Sequence, residues 1–309
     1  MLQADIRTQS TNPAKLAGLF KKQFELCKVK PGETIAIVSD LGTRREYIEA
    51  AFAAAEELDA DIYEMCVNAI PTWTSVGVET VGKCKGTLEA LMQCDMVLIF
   101  HVPLFSSWLK KVMDNGVRIQ MIIDAPDDLY ALQSPPGLKE ALLHAHKLYE
   151  NTKQVRVTSK AGTDFTYERG EYPVMSQYGF ADEPGHIVSI EGGLDATLMR
   201  EWLEDGKDFP EDRDPFAISH LGWGLNPQAR WDSIALYGDS PERNRAATRA
   251  FPGNFLFSTG PNTQGGGTRK TRGHYDLPMR GCTIELDGNR IIEDGKVLDP
   301  KMIVPRERR

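Results

Sequence analysis

The chain is poor in cysteine, and its cysteines follow no pairing pattern. Cys27, Cys66, Cys84, Cys94 and Cys282 are five in 309 residues, an odd number without a Cys-x-x-Cys spacing. That excludes a disulfide framework and a zinc ribbon, and it suits a reducing compartment. Excess basic charge is missing as well. Against 44 Asp and Glu stand 36 Lys and Arg, for a formal charge of -8 and a pI near 5.4. A nucleic-acid surface needs the opposite sign, and the dense basic runs are confined to 269–272 and the extreme C-terminus. No stretch approaches the roughly 20 apolar residues of a membrane helix, and residues 1–12 carry no apolar secretory core. No Gly-x-Gly-x-x-Gly or Walker loop follows an apolar run, so the usual dinucleotide and ATP cradles are not expected. Tandem repeats and long low-complexity linkers are lacking too. The expectation is a cytoplasmic protein without nucleic-acid or membrane partners.

What is present is ordinary for a globular protein: 41% apolar and 26% charged residues, in a chain long enough for two domains. Leu16, Leu19, Phe20, Phe24 and Cys27 recur at helical spacing. Thr34–Asp40 is a continuous apolar run with a polar end, the pattern of a parallel strand buried on both faces. A helix over 44–58, a strand over 62–67, a helix over 87–92, strands at 95–100 and 118–123, and helices at 108–115 and 138–152 follow. This alternation predicts a doubly wound, mostly parallel α/β domain over 1–152. Ligands of such domains sit beyond the carboxyl ends of the strands, which singles out His101, next after the 95–100 run. His144 and His146, two apart on a helix, face different sides and cannot share a metal.

After 152 the pattern changes to short strands, at 154–157, 164–167, 217–221, 254–258 and 282–286, with a hairpin turn at 287–289 and a final β pair over 291–304. One helix, 194–203, interrupts them. This predicts a β-rich α+β domain over 153–309. Three stretches there carry ligand-type side chains beside glycine: Ser219-His220-Leu221-Gly222-Trp223-Gly224-Leu225-Asn226-Pro227, Phe255 to Asn262, and Gly273 to Met279. Glycine allows close backbone approach, and histidine beside it can hold a metal or a proton. A metal site assembled from three strand or loop ends is one reading; a hydrogen-bonded core His220 and a surface His274-x-Asp276 pair is the other. A Ser-His-Asp hydrolase from Ser258, His220 and Asp276 lacks the Gly-x-Ser-x-Gly elbow.

The order Ala-Gly-Thr-Asp (161–164), Ile-Glu-Gly-Gly (190–193), His-Leu-Gly-Trp-Gly-Leu-Asn-Pro (220–227), Phe-Ser-Thr-Gly-Pro-Asn (257–262) and Gly-His-x-Asp (273–276) resembles the aminopeptidase T-like metalloenzymes. Within that group it is more similar to the 2,5-dihydroxypyridine 5,6-dioxygenases of nicotinate and nicotine degradation. The peptidases of the group carry glutamate where His220 stands and histidine where Ser258 stands, both ligands of a two-metal site. Replacing a carboxylate by a neutral imidazole lowers the negative charge available for two dications, which argues for one metal.

The resemblance implies a ring-cleaving dioxygenase with one Fe²⁺ per chain, held by His220, Ser258 and Asp276. It implies catalytic roles for His101 as base, His186 in the pocket and His274 beside Asp276. It also implies O₂ and a small aromatic as substrates, N-formylmaleamate as product, and a homo-oligomer in which sites are shared between subunits or kept within each. Trp223, Phe257 and Tyr275, with Tyr178 and Phe180, offer faces for a planar ring, although each alone would equally suit a core. Between His186 and Ile190 the chain is shorter than the family pattern, as if a β segment were missing. A metallo-aminopeptidase and a catalytically silent ligand-binding relative remain as alternatives.

Overall fold

The computed structural model describes residues 12–68, 79–101, 103–123, 126, 129, 135–170, 174–175, 180–181, 186–187, 189–229, 231, 250–263 and 267–306. The chain divides into two compact units, Met1–Tyr130 and Ala131–Arg309.

The first unit runs α1 (Pro13–Leu26), β1 (Thr34–Asp40), α2 (Arg45–Glu56), β2 (Asp61–Val67), α3 (Thr87–Met92), β3 (Met96–Ile99), α4 (Ser107–Asp114) and β4 (Arg118–Met121). Asn12 caps α1 by accepting from Lys15 N, and Pro13 occupies the first turn, where its missing N–H costs nothing. The strands form a parallel sheet in the order β2-β1-β3-β4. Alternate residues of β1 and β3 serve different cores. Ile35, Ile37, Met96 and Leu98 pack with α1 and α2; Ala36, Val38, Val97 and Ile99 pack with α3 and α4. Burial on both faces is why these strands read as unbroken apolar runs. The strand order reverses between β1 and β3, so the ligand crevice of such a sheet falls at the ends of these two strands, where Asp40 and His101 stand.

The second unit begins with α5 (Leu138–Glu150). It continues with β5 (Gln154–Ser159), β6 (Asp164–Glu168), β7 (Val174–Met175), β8 (Phe180–Ala181), α6 (Leu194–Asp205), β9 (Ile218–Gly222) and β10 (Asn254–Thr259). It ends with β11 (Tyr275–Arg280), β12 (Cys282–Leu286), β13 (Asn289–Glu293) and β14 (Lys296–Val297). Two five-stranded sheets result, ordered β11-β10-β9-β8-β7 and β14-β13-β12-β5-β6. Their strand pairs are antiparallel. Phe255 lies fully buried at the core between the sheets, edge-on to Phe165 at 5.6 Å between ring centroids. Truncating such a ring to alanine costs about 3–5 kcal/mol.

Two expectations change. The break expected at 152/153 falls at 130/131, because Leu138, Ala141, Ala145 and Tyr149 of α5 are buried with Val155, Phe255 and Ile284 in the second unit's core. The final β pair stops at Val297 rather than 304. Asp299 accepts from Lys301 N and Pro300 follows it, which together start a short 3-10 turn, Pro300–Met302. His144 Nε2 meets Asp299 Oδ2 at 2.8 Å on this turn, while His146 lies 3.5 Å from Glu150, so the two histidines have separate partners.

Candidate metal centre

Four side chains converge, from β9, from β10, from β11 and from the residue just before β11. The His220 Nε2 atom lies 2.9 Å from Ser258 Oγ and 3.5 Å from Asp276 Oδ1. His274 Nε2 lies 3.0 Å from the same Asp276 oxygen, and the Ser258 hydroxyl donates to it. The two imidazole rings stack at 5.0 Å between centroids, 29° apart in plane. The ligand atoms of His220, His274 and Asp276 all fall within 4.8 Å of one another. All three side chains are half-buried, and Ser258 is fully buried.

The ladder explains the convergence. Ser258 pairs with Asp276 across β10–β11, and His274 stands two residues before Asp276, on the same face. On the other side of β10, Phe257 pairs with Leu221 and Thr259 with Ile218. Ser219 and His220 therefore oppose Ser258 alone, a β-bulge that turns His220 toward the cluster. Two glycines allow the close approach of neighbouring chain. Gly260 has a φ of 107°, and a Cβ there would stand 2.3 Å from Gly273 O. A Cβ on Gly273 would stand 2.6 Å from the Trp202 ring of α6, which also packs on Tyr275 at 5.1 Å between centroids.

In the first unit, His101 is 8% exposed just beyond the end of β3. Its Nε2 lies 3.4 Å from Thr80 Oγ1 and its ring 6.5 Å from that of Trp108. Burial pushes the imidazole down to about 4, against the opposing pull of the Asp40 carboxylate. It is therefore neutral near pH 7, the state a proton acceptor needs. Glu79, beside Thr80, accepts from Ser107 N at the start of α4 and so ties this segment to the helix that carries Trp108.

The remaining sequence candidates are placed differently. His186 is exposed, and its backbone bridges Ala217, next before β9. Among the described residues no hydrogen bond or ion pair joins its ring to the cluster. Trp223 is a core residue rather than a pocket wall: it is 7% exposed and edge-on to Tyr149 at 5.4 Å. Phe257 packs on Phe165, and Tyr275 on Trp202. Phe180 opens β8, while Tyr178, Gly265 and Gly266 lie outside the described residues. Ser219 was not assigned a role from sequence. A serine next to a histidine carries no signal unless the bulge is known.

A borderline divalent transition metal fits these donors: imidazole nitrogen, carboxylate oxygen and a hydroxyl, with no thiolate. Each of these atoms offers a lone pair to the same small volume, and a cation there would satisfy them together. Such a cluster on an antiparallel sheet, in a chain that also holds a parallel α/β unit, has the donors of a candidate metal site. The chain belongs to the 2,5-dihydroxypyridine 5,6-dioxygenase family, whose pattern matches residues 15–188 and 184–299. The two matched stretches overlap at 184–188. The chain is 29% identical to the 2,5-dihydroxypyridine 5,6-dioxygenase of Pseudomonas putida KT2440, over 93% of its own length and 97% of that protein. That alignment spans 345 positions, more than the chain's 309 residues, so the relative has residues with no counterpart here. The solved structure of 2,5-dihydroxypyridine dioxygenase from the same organism superposes with a TM-score of 0.85 at 27% identity, covering 95% of this chain and 99% of that one. AmpT from Thermus thermophilus shares the fold, with a TM-score of 0.54 at 12% identity over 92% of this chain and 98% of its own.

Proposed function

We propose that this protein is a dioxygenase that opens the ring of 2,5-dihydroxypyridine or a close hydroxypyridine, using one ferrous ion per chain. The convergence of His220, Ser258 and Asp276 in a member of this family is the observation that carries the reading. These three side chains would hold the ion. His274 Nε2, at 3.0 Å from Asp276 Oδ1, would orient that carboxylate and strengthen it as a ligand. Ferrous iron, when bound, supplies the one-electron chemistry that lets O₂ react with an aromatic ring. His101, kept neutral by burial, takes the substrate hydroxyl proton, and His186 contributes to the pocket. Both oxygen atoms enter the product, N-formylmaleamate, so the reaction consumes no external reductant. The chain works as a cytoplasmic homo-oligomer.

The likeness to AmpT motivates a second reading, a metallo-aminopeptidase. It is the weaker one, because a two-metal peptidase centre of that type needs glutamate and histidine where His220 and Ser258 stand. The shortened stretch beside Ile190 motivates a third, a silent ligand-binding relative. Oxygen uptake and ring absorbance, measured in air on protein loaded anaerobically with ferrous ion and given hydroxypyridines, catechols or dipeptides, separate them. The expected result is equimolar O₂ consumption with 2,5-dihydroxypyridine and no amino acid release. Dipeptide cleavage, or catechol cleavage without any pyridine cleavage, would overturn the assignment; iron binding with no turnover of any compound would favour the silent relative. Mixing His101→Ala with Asp276→Ala protein under subunit exchange tests whether sites are shared: recovered activity shows sharing, and none with exchange confirmed assigns each site to one chain.

A further inference from the structure

We propose that Ser219 is a positioning residue for the metal centre: it holds the ring proton of His220 on Nδ1, so that Nε2 presents a lone pair to the ion. The inference rests on the reading of this cluster as a metal site. Ser219 is 1% exposed, and its Oγ lies 2.6 Å from the Pro261 carbonyl oxygen. A carbonyl only accepts, and a serine hydroxyl has one proton to give. What Ser219 Oγ has left for His220 Nδ1, 3.3 Å away, is a lone pair. That contact is satisfied when Nδ1 carries hydrogen. Ser258 Oγ, whose own proton goes to Asp276, leaves a lone pair for Nε2 in the same way, and a bound ion takes the place of a proton on that nitrogen. The other tautomer would set two lone pairs against each other in a buried place and put a proton on Nε2, where the ion must bind.

The backbone makes this contact. In a regular strand, neighbouring side chains point to opposite faces. The bulge opposite Ser258 breaks that alternation and brings the Ser219 hydroxyl to its neighbour's ring. The accepting carbonyl is itself held in place, because the next residue, Asn262, accepts from Gly267 N through its backbone oxygen and from Arg269 N through Oδ1.

The test is ferrous-ion affinity, measured anaerobically by chelator competition on the full chain. Ser219→Ala should weaken binding about 10–100-fold, the usual effect of removing a partner of a ligating histidine, whereas Ser219→Thr, which keeps the hydroxyl, should recover most of it. In the zinc-loaded wild-type protein, ¹⁵N spectra should show metal on Nε2 and a slowly exchanging proton on Nδ1 of His220; Ser219→Ala should make that proton exchange faster. Thermal melting of the metal-free variants separates loss of fold from loss of affinity. Metal found on Nδ1, or affinity in Ser219→Ala within about twofold of wild type, overturns the proposal. Should Ser219→Ala fail to fold, the wild-type spectrum and the Ser219→Thr affinity decide it. Wild-type protein that binds neither ferrous ion nor zinc instead overturns the metal-site reading on which the inference stands.

Discussion

Ser258 and Asp276 face each other across one rung of the β10–β11 ladder, and the serine hydroxyl donates to the aspartate. A directly opposed pair has its Cβ atoms about 4.5–5.5 Å apart, so two short side chains reach one point without bending the backbone. On the proposed assignment this rung supplies two ligands and His220 the third. Asp276→Ala and His220→Ala should each abolish iron retention, while Ser258→Ala, which removes the weakest donor, should lower affinity without abolishing it. Iron content per chain after desalting checks this. Full retention in either of the first two variants breaks the ligand set, and two ions per wild-type chain would revive the peptidase reading.

His274 tests the division between ligand and orienting residue. Its Nε2 contacts the same oxygen, Asp276 Oδ1, that His220 and Ser258 approach. As an orienting partner its loss should cost about 10–100-fold in metal affinity, and His274→Gln, which keeps a donor, should cost less than His274→Ala. Complete loss of metal in both, matching His220→Ala, would move His274 into the ligand set.

His101 makes a prediction about stability as well as rate. The folded protein holds its imidazole at about 4, against 6.5 for an unburied ring, with burial as the main cause. The unfolded chain therefore takes up a proton below pH 6.5 that the folded chain refuses until about pH 4. This contribution is fully present above pH 6.5 and is lost as pH falls from 6.5 to about 4, for a total of about 3 kcal/mol. Denaturant unfolding of wild type and His101→Gln across that range should show a steeper fall for wild type; titrating carboxylates act on both proteins and cancel in the difference. Parallel curves would mean that His101 titrates normally. His101→Ala should also keep its iron and lose about 10²–10⁴-fold in turnover.

How much of this was legible in sequence depends on what each segment packs against. The β1 strand was read to the residue because burial on both faces leaves an unbroken apolar run from Ile35 to Val38. His220, Ser258, His274 and Asp276 were named together from their motifs, and they do converge. The strand β11 was harder to read because Pro278 sits inside it. Proline cannot donate to a ladder, and it is tolerated here because β11 is the edge of its sheet. The bulge at Ser219-His220 was invisible for a different reason: it exists only as a difference in register between two strands more than thirty residues apart. Trp223 misled through its glycine neighbours, which suggest a ligand loop, whereas its ring packs on Tyr149 of a helix read as part of the other domain.

The last prediction concerns the support behind β11. Gly273 has no left-handed backbone that would demand glycine; what excludes a side chain is the Trp202 ring, 2.6 Å from where a Cβ would stand. Gly273→Ala therefore forces either the indole outward or the chain at His274 inward. Overpacking of this kind costs about 1–3 kcal/mol, and a shift at His274 carries Asp276 with it. Trp202→Ala alone removes the packing on Tyr275 but leaves room at 273. The double variant should then be less impaired in metal affinity than the sum of the two single changes, a favourable coupling of the size seen for residues in contact. Metal affinity of the four proteins, measured by chelator competition, closes the cycle. Strict additivity would mean that the ring swings away freely and that Trp202 does not set the position of the His274–Asp276 strand.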